Sequence, residues 1–146
     1  MKDKEKRLLE LIYLPIGDKP YMSPIQIMKA MFLIKEELDL SEFYEFKPYL
    51  YGPCSFEIYS DLLDLKIRGL IDTIPSLWGW KNYRITAKGK VEAEKYIKEE
   101  SEEVKNKILQ IKKLVVSKSF LELLRYVYTK YPEYATNSIV NVGAIK

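Results

Sequence analysis

Residues 65–89 read Leu65-Lys66-Ile67-Arg68-Gly69-Leu70-Ile71-Asp72-Thr73-Ile74-Pro75-Ser76-Leu77-Trp78-Gly79-Trp80-Lys81-Asn82-Tyr83-Arg84-Ile85-Thr86-Ala87-Lys88-Gly89. Gly69 is placed to end a helix with a left-handed cap. Leu70–Ile74 and Lys81–Ile85 are short β-prone runs, and Pro75–Trp80 between them predicts a hairpin with a six-residue tip. Thr86 then offers a side-chain oxygen to the first turn of a further helix. The stretch is helix end, hairpin and helix start in a single run.

Working upstream, residues 56–68 carry Ile58, Tyr59, Leu62, Leu63, Leu65 and Ile67 on what reads as one apolar arc, behind Ser55 as a cap. Ser23-Pro24-Ile25-Gln26 has the order of a capping box with proline at the first helical position. It opens a helix to about Leu38. Ile27, Met28, Met31, Phe32 and Ile34 cover a wide arc there, so this helix is expected at the centre of the core. Before it, Leu8, Leu11 and Ile12 give residues 4–14 helical spacing, ended by Pro15 and Gly17. Between Asp39 and Cys54 the period breaks, and Phe46–Pro53 reads as an extended aromatic segment closed by a Gly-Pro turn.

Downstream, the helix capped by Thr86 is expected to run as far as Val115, with a break near Glu99 to Ser101. Ser119-Phe120-Leu121-Glu122 is a second capping box, opening a helix to Tyr131 that Pro132 terminates. The last dozen residues lack periodicity and read as irregular. The fold class is therefore mainly α (α+β). Residues 1–96 form a winged helix-turn-helix with a small β-hairpin wing, and residues 97–146 add a C-terminal helical extension.

Two motifs carry a family resemblance. Leu65-x-x-x-Gly69-Leu70-Ile71, followed beyond the hairpin by Tyr83-Arg84-Ile85-Thr86-Ala87-Lys88-Gly89, resembles the helix, wing and Y-x-L-T-x-K-G signature of winged-helix regulators. Tyr51-Gly52-Pro53-Cys54-Ser55 between two helices is similar to the YwgA-like proteins and the related Panacea group, which includes the SocA antitoxin. Leu124–Tyr134 also resembles the ending of YwgA-like sequences. The resemblance implies a winged-helix-like fold and antitoxin, adaptor or DNA-binding roles; fold transfers by resemblance more firmly than function does.

Composition narrows the chemistry. The chain of 146 residues is 47% apolar, 31% charged and 13% aromatic, the balance of a soluble globular domain. It has no histidine, which excludes a Ser-His-Asp triad and the commonest metal ligand. The single cysteine, Cys54, excludes an intrachain disulfide and a cysteine-built zinc site. Its acidic surroundings predict a small buried thiol rather than a reactive one. Phosphate-cradle and nucleophile-elbow motifs are missing. The expectation is a non-catalytic, metal-free and cofactor-free protein of the cytoplasm. The N-terminus opens with charge like a signal peptide, but its apolar stretch is short, is broken by Glu10 and is followed by no cleavage site, and no apolar run reaches the roughly 18–20 residues of a membrane span. Twelve tyrosines with only two glutamines and four asparagines resemble a thermophile's bias.

Charge distribution frames the partner. The net charge is +3, but residues 36–72 carry three bases and nine acids whereas residues 81–130 carry thirteen bases and seven acids. Lys81, Arg84, Lys88 and Lys90, with Trp78 and Trp80 at the hairpin tip, are the candidate nucleic-acid contacts, since a wing can rest on phosphates or reach a minor groove. Against that stands a solvated surface with the tryptophans folded back. Glu57, Asp61, Asp64 and Arg68 lie opposite the apolar arc of the third helix, where acids oppose insertion into a groove and suit a basic protein partner. Ile97, Ser101, Val104, Ile108, Ile111 and Val115 recur at heptad spacing, the mark either of a dimer seam or of packing within one chain. The tyrosine-rich Phe46–Ser55 segment is read as a clamp between helices or as a groove wall. The expected partner is thus double-stranded DNA or a basic protein, with a homodimer as a further expectation.

Overall fold

The computed structural model describes residues 1–140 except Ile16, Asp18 and Ser41. It is a mixed α/β structure of six α-helices and small antiparallel sheets. In chain order these are α1 (Asp3–Tyr13), β1 (Tyr21–Met22), α2 (Pro24–Glu37), β2 (Lys47–Tyr49), β3 (Gly52–Cys54), α3 (Phe56–Ile67), β4 (Ile71–Pro75), β5 (Lys81–Ile85), α4 (Ala87–Glu99), α5 (Glu102–Val116) and α6 (Phe120–Lys130), followed by a 3-10 turn over Pro132–Ala135. The reading of residues 141–146 as irregular lies outside the described residues.

Local chemistry explains most boundaries. Ser23 accepts from the Gln26 amide at 3.2 Å while the Gln26 side chain accepts from the Ser23 amide at 2.9 Å, so the capping box that opens α2 is complete. Ser119 and Glu122 repeat the arrangement at α6. Ser23→Ala should therefore lower stability by about 1 kcal/mol, seen as a lower urea midpoint with unchanged slope. The fourth helical run breaks where the sequence suggests: Glu100 is extended, and Ser101 caps α5 by accepting from the Val104 amide. Ser55 differs from expectation. It precedes α3, but its side chain makes no capping bond, and its amide instead donates to Met28 Sδ at 3.3 Å.

The hairpin β4–β5 pairs Ile71 with Ile85 and Pro75 with Lys81. β1, which two residues of sequence could not announce, pairs Tyr21 with Arg84 on the other side of β5 and gives the order β1-β5-β4. α4 begins directly against this sheet. A Cβ at Gly89 would lie 1.9 Å from the Leu70 carbonyl oxygen, so only glycine permits that approach. The Phe46–Pro53 segment is not a single extended run. It doubles back as β2–β3, with Pro48 opposite Pro53 and Gly52 at φ +92°.

One buried cluster draws on the whole chain. α2 is buried nearly all round, and Phe32 meets Phe46, Tyr131 and Tyr134 edge-on at 5.4, 5.0 and 4.6 Å. α5 packs on α2 and α1, and α4 packs on α1. This decides how the heptad-spaced positions are used. Ile108, Ile111 and Val115, which the spacing left as a dimer seam or as packing within the chain, are buried in the chain's own core, with Ile97 and Val104 packed partly buried against it. A lysine at 108 would enter that core instead of releasing a partner. The boundary expected at residue 96 falls within α4.

Candidate functional site

α3 is rolled on its axis relative to the sequence reading. Ile58, Leu62 and Leu65 face the core, but Phe56 is 62% exposed, Tyr59 43%, Leu63 58% and Ile67 76%. Tyr59, Leu63 and Ile67 were expected inside, so this corrects the apolar arc by about half its width. At 100° per residue, Phe56, Ser60, Leu63 and Ile67 form the outermost line of the helix.

The same roll changes the acidic set. Glu57 forms an ion pair and hydrogen bond with Lys4 of α1, Asp61 accepts a hydrogen bond from the Tyr44 hydroxyl, and Asp64 pairs with Arg68 at 3.0 Å. The expected acidic face is thus a flank, largely engaged with α1 and the α2–β2 connection, and not the outward face of α3. Burial, with Asp61 and Asp64 close by, pushes the Glu5 carboxyl above its usual range. Burial and the bond to Asp61 hold the Tyr44 hydroxyl far above its ordinary value.

Two of the four wing bases are also engaged internally. Arg84 donates to both oxygens of Asp72 across the hairpin, at 2.7 and 3.4 Å. Lys88 Nζ donates to the Arg68 carbonyl at 2.8 Å, satisfying the C-terminal end of α3. Lys81 and Lys90 are exposed and form no ion pair among the described residues. At the tip, Trp78 is 75% exposed and does not fold back, and Trp80, also exposed, donates from Nε1 to Asn82 Oδ1 at 3.2 Å.

The tyrosine-rich segment acts as the clamp. Lys29 Nζ, buried in α2, donates to the Pro53 carbonyl at 3.0 Å, and Gly52 lies close against the Tyr128 ring of α6. Its outer aromatics extend the exposed line on α3: Tyr49 stacks edge-on with Phe56 at 5.2 Å, and Phe56 lies 6.4 Å from Tyr59. Cys54 is half-buried, and burial raises its thiol despite the nearby Lys29 ammonium.

No family model and no curated protein matches the chain. What the surface can do must come from its own chemistry. Among the described residues no group of three or more Asp, Glu or Cys side chains is placed to hold a metal ion, and no helix is long and apolar enough to cross a membrane. A pocket of about 100 Å³ lined by Leu33, Glu37, Lys107, Ile111, Leu114 and Tyr126 is well below the size that encloses a small-molecule ligand.

Three buried charges escaped the sequence reading. Glu10 of α1 is pushed up to about 8 by burial and by Glu100, against the pull of Arg7 and Lys6. Lys29 is lowered to about 8 by burial, and Lys112, whose Nζ donates to the Ile12 carbonyl at 3.1 Å, is lowered to about 7 by burial. The signal for Glu10 was present: it is the one charge inside the apolar run Leu8–Ile12.

Proposed function

We propose that this chain is a non-catalytic protein-interaction module of the winged helix-turn-helix type, related to the YwgA-like and Panacea groups its motifs resemble. In this reading the third helix docks on protein where a DNA-binding relative inserts it into a groove. Support for the winged reading is the order α1-β1-α2-α3-β4-β5, into which β2–β3 is inserted between α2 and α3, with β1 on the far side of β5 from β4. The observation that carries the protein reading is the apolar outward line of α3. Groove contact needs donors, acceptors and positive charge there, and Phe56, Leu63 and Ile67 supply none of these. The internal bonds of Arg84 and Lys88 weigh the same way, because they leave only Lys81 and Lys90 of the wing set to meet phosphates.

Fluorescence anisotropy with a random-sequence duplex and with duplexes enriched by selection from a randomised pool tests this. The expected result is weak, non-specific binding with a log-log salt slope of no more than about 2, since each phosphate contact contributes about 0.9. Leu63→Lys, which places a cation on the outward face, is expected to leave it unchanged or tighten it. Tight sequence-specific binding that Leu63→Lys abolishes would overturn the reading in favour of a DNA-binding regulator.

A further inference from the structure

The tip of the β4–β5 hairpin turns apolar side chains outward and polar groups inward. Leu77, at 97%, is the most exposed large apolar side chain among the described residues, and Trp78 beside it is largely exposed as well. Beneath them Ser76 answers the backbone. Its Oγ accepts from the Trp78 amide at 3.3 Å and donates to the Trp80 carbonyl at 2.7 Å, and the Ser76 amide donates to the same carbonyl at 3.1 Å. Trp80 Nε1 is held by Asn82 Oδ1. We propose that this tip docks the protein on the surface of an anionic lipid bilayer, with Leu77 and Trp78 entering the acyl boundary and Lys81 meeting the lipid phosphates. The contact uses a surface apart from α3 and goes beyond the protein-docking reading.

The polar groups, the charge and the aromatic chemistry of the tip favour lipid. A phosphate reader presents free amides and hydroxyls, whereas the Ser76 hydroxyl, the Trp78 amide and the Trp80 carbonyl are engaged with one another. A turn that satisfies these groups internally loses less on entering a medium poor in water. The charge is one-sided: residues 73–91 contain four bases and no acid. The acid that precedes them, Asp72, is bonded to Arg84. Lys81 follows Trp80 directly, lies opposite Pro75 where the tip begins, and is exposed. Its stem can follow the apolar tip while the ammonium stays among phosphates, and an anionic leaflet attracts such a charge. Tryptophan is the residue whose amphipathic ring settles at headgroup level. Binding strength at a membrane surface grows with the apolar area buried and with attraction to anionic lipid, so one short tip with one free lysine gives weak, reversible docking.

Tryptophan emission tests the docking, because Trp78 and Trp80 are the chain's only tryptophans and both lie in the tip. The full chain is titrated with vesicles of phosphatidylcholine and phosphatidylglycerol in equal parts. The expected result is a blue shift of the emission, and quenching when the acyl chains carry bromine. Leu77→Ser and Trp78→Ser should each weaken partitioning by at least about tenfold. Trp80 remains as the reporter in both, and circular dichroism should stay unchanged because both positions are exposed. Lys81→Ala should weaken it by about fivefold. No blue shift at about 1 mM lipid, roughly ten times what half-saturates a single acyl anchor, would overturn the proposal. So would binding indifferent to the tip substitutions, or equal binding to phosphatidylcholine alone. A shift produced by duplex DNA and not by vesicles would overturn it in favour of nucleic acid at the tip. These substitutions leave α3 untouched, so failure of the docking is separate from failure of the protein-docking reading, which the anisotropy of Leu63→Lys decides.

Discussion

Gly89→Ala is expected to destabilise the protein by on the order of 3 kcal/mol, the upper end of what overpacking costs, and to lower Tm by roughly 10 °C for a domain of this size. The added methyl would lie 1.9 Å from the Leu70 carbonyl oxygen and 2.8 Å from Ile85 Cδ1. The first contact is with backbone, so it can be relieved only by moving the start of α4 away from β4. That movement also strains the Thr86 hydroxyl bond to the Gly69 carbonyl, at 2.6 Å, and its cap on the Gly89 amide, at 3.0 Å. The sign makes the test sharp. By helix propensity alone alanine should gain about 1 kcal/mol over glycine inside a helix, so steric and intrinsic effects predict opposite outcomes. Urea denaturation of Gly89→Ala beside Lys98→Ala, an exposed control on the same helix, checks it; an unchanged or raised midpoint at Gly89 would remove the close approach from the account of the fold.

Stability is expected to pass through a trough near pH 7 to 8, set by the three buried charges. Glu10 has a folded pKa of about 8 against a usual 4.5, so the folded chain holds its proton longer, and stability falls as pH rises between those values. Lys112 and Lys29 have folded pKa values of about 7 and 8 against a usual 10.5, so the unfolded chain holds its proton longer, and stability rises with pH across those windows. At about 1.4 kcal/mol per unit, each limb is worth several kcal/mol. Urea midpoints from pH 5 to 9.5, below the range where the tyrosines ionise, should trace both limbs. Glu10→Gln should flatten the acid limb, and Lys112→Met the alkaline one. A monotonic profile in the native chain, or limbs untouched by these substitutions, would assign the pH dependence elsewhere.

The parts of the structure that local chemistry controls were legible in the sequence. Capping boxes at Ser23 and Ser119, the Gly69 stop, the hairpin and the break near Ser101 all depend on residues within a few positions of one another. Two apolar faces met opposite outcomes for a single physical reason. The seam on α5 has the spacing of a partner contact and is core; the line on α3 has the composition of core and is exposed. An apolar side chain gains from leaving water whether its own chain or another molecule covers it, so periodicity locates an apolar face without saying what meets it. The β1–β5 pairing and the Lys29 bond to Pro53 join residues far apart in sequence, and no local pattern encodes them.

The cover that α5 provides for α2 has a consequence for synthesis. Chains leave the ribosome N-terminus first, and α2 emerges with Ile27, Met31, Phe32 and Ile34 in place long before Ile108, Ile111 and Val115 have been translated. Throughout that interval the apolar face of α2 lacks its α5 cover. Products that end before α5 are therefore expected to be degraded faster than the full chain, because the order in which these two helices are made leaves α2 uncovered.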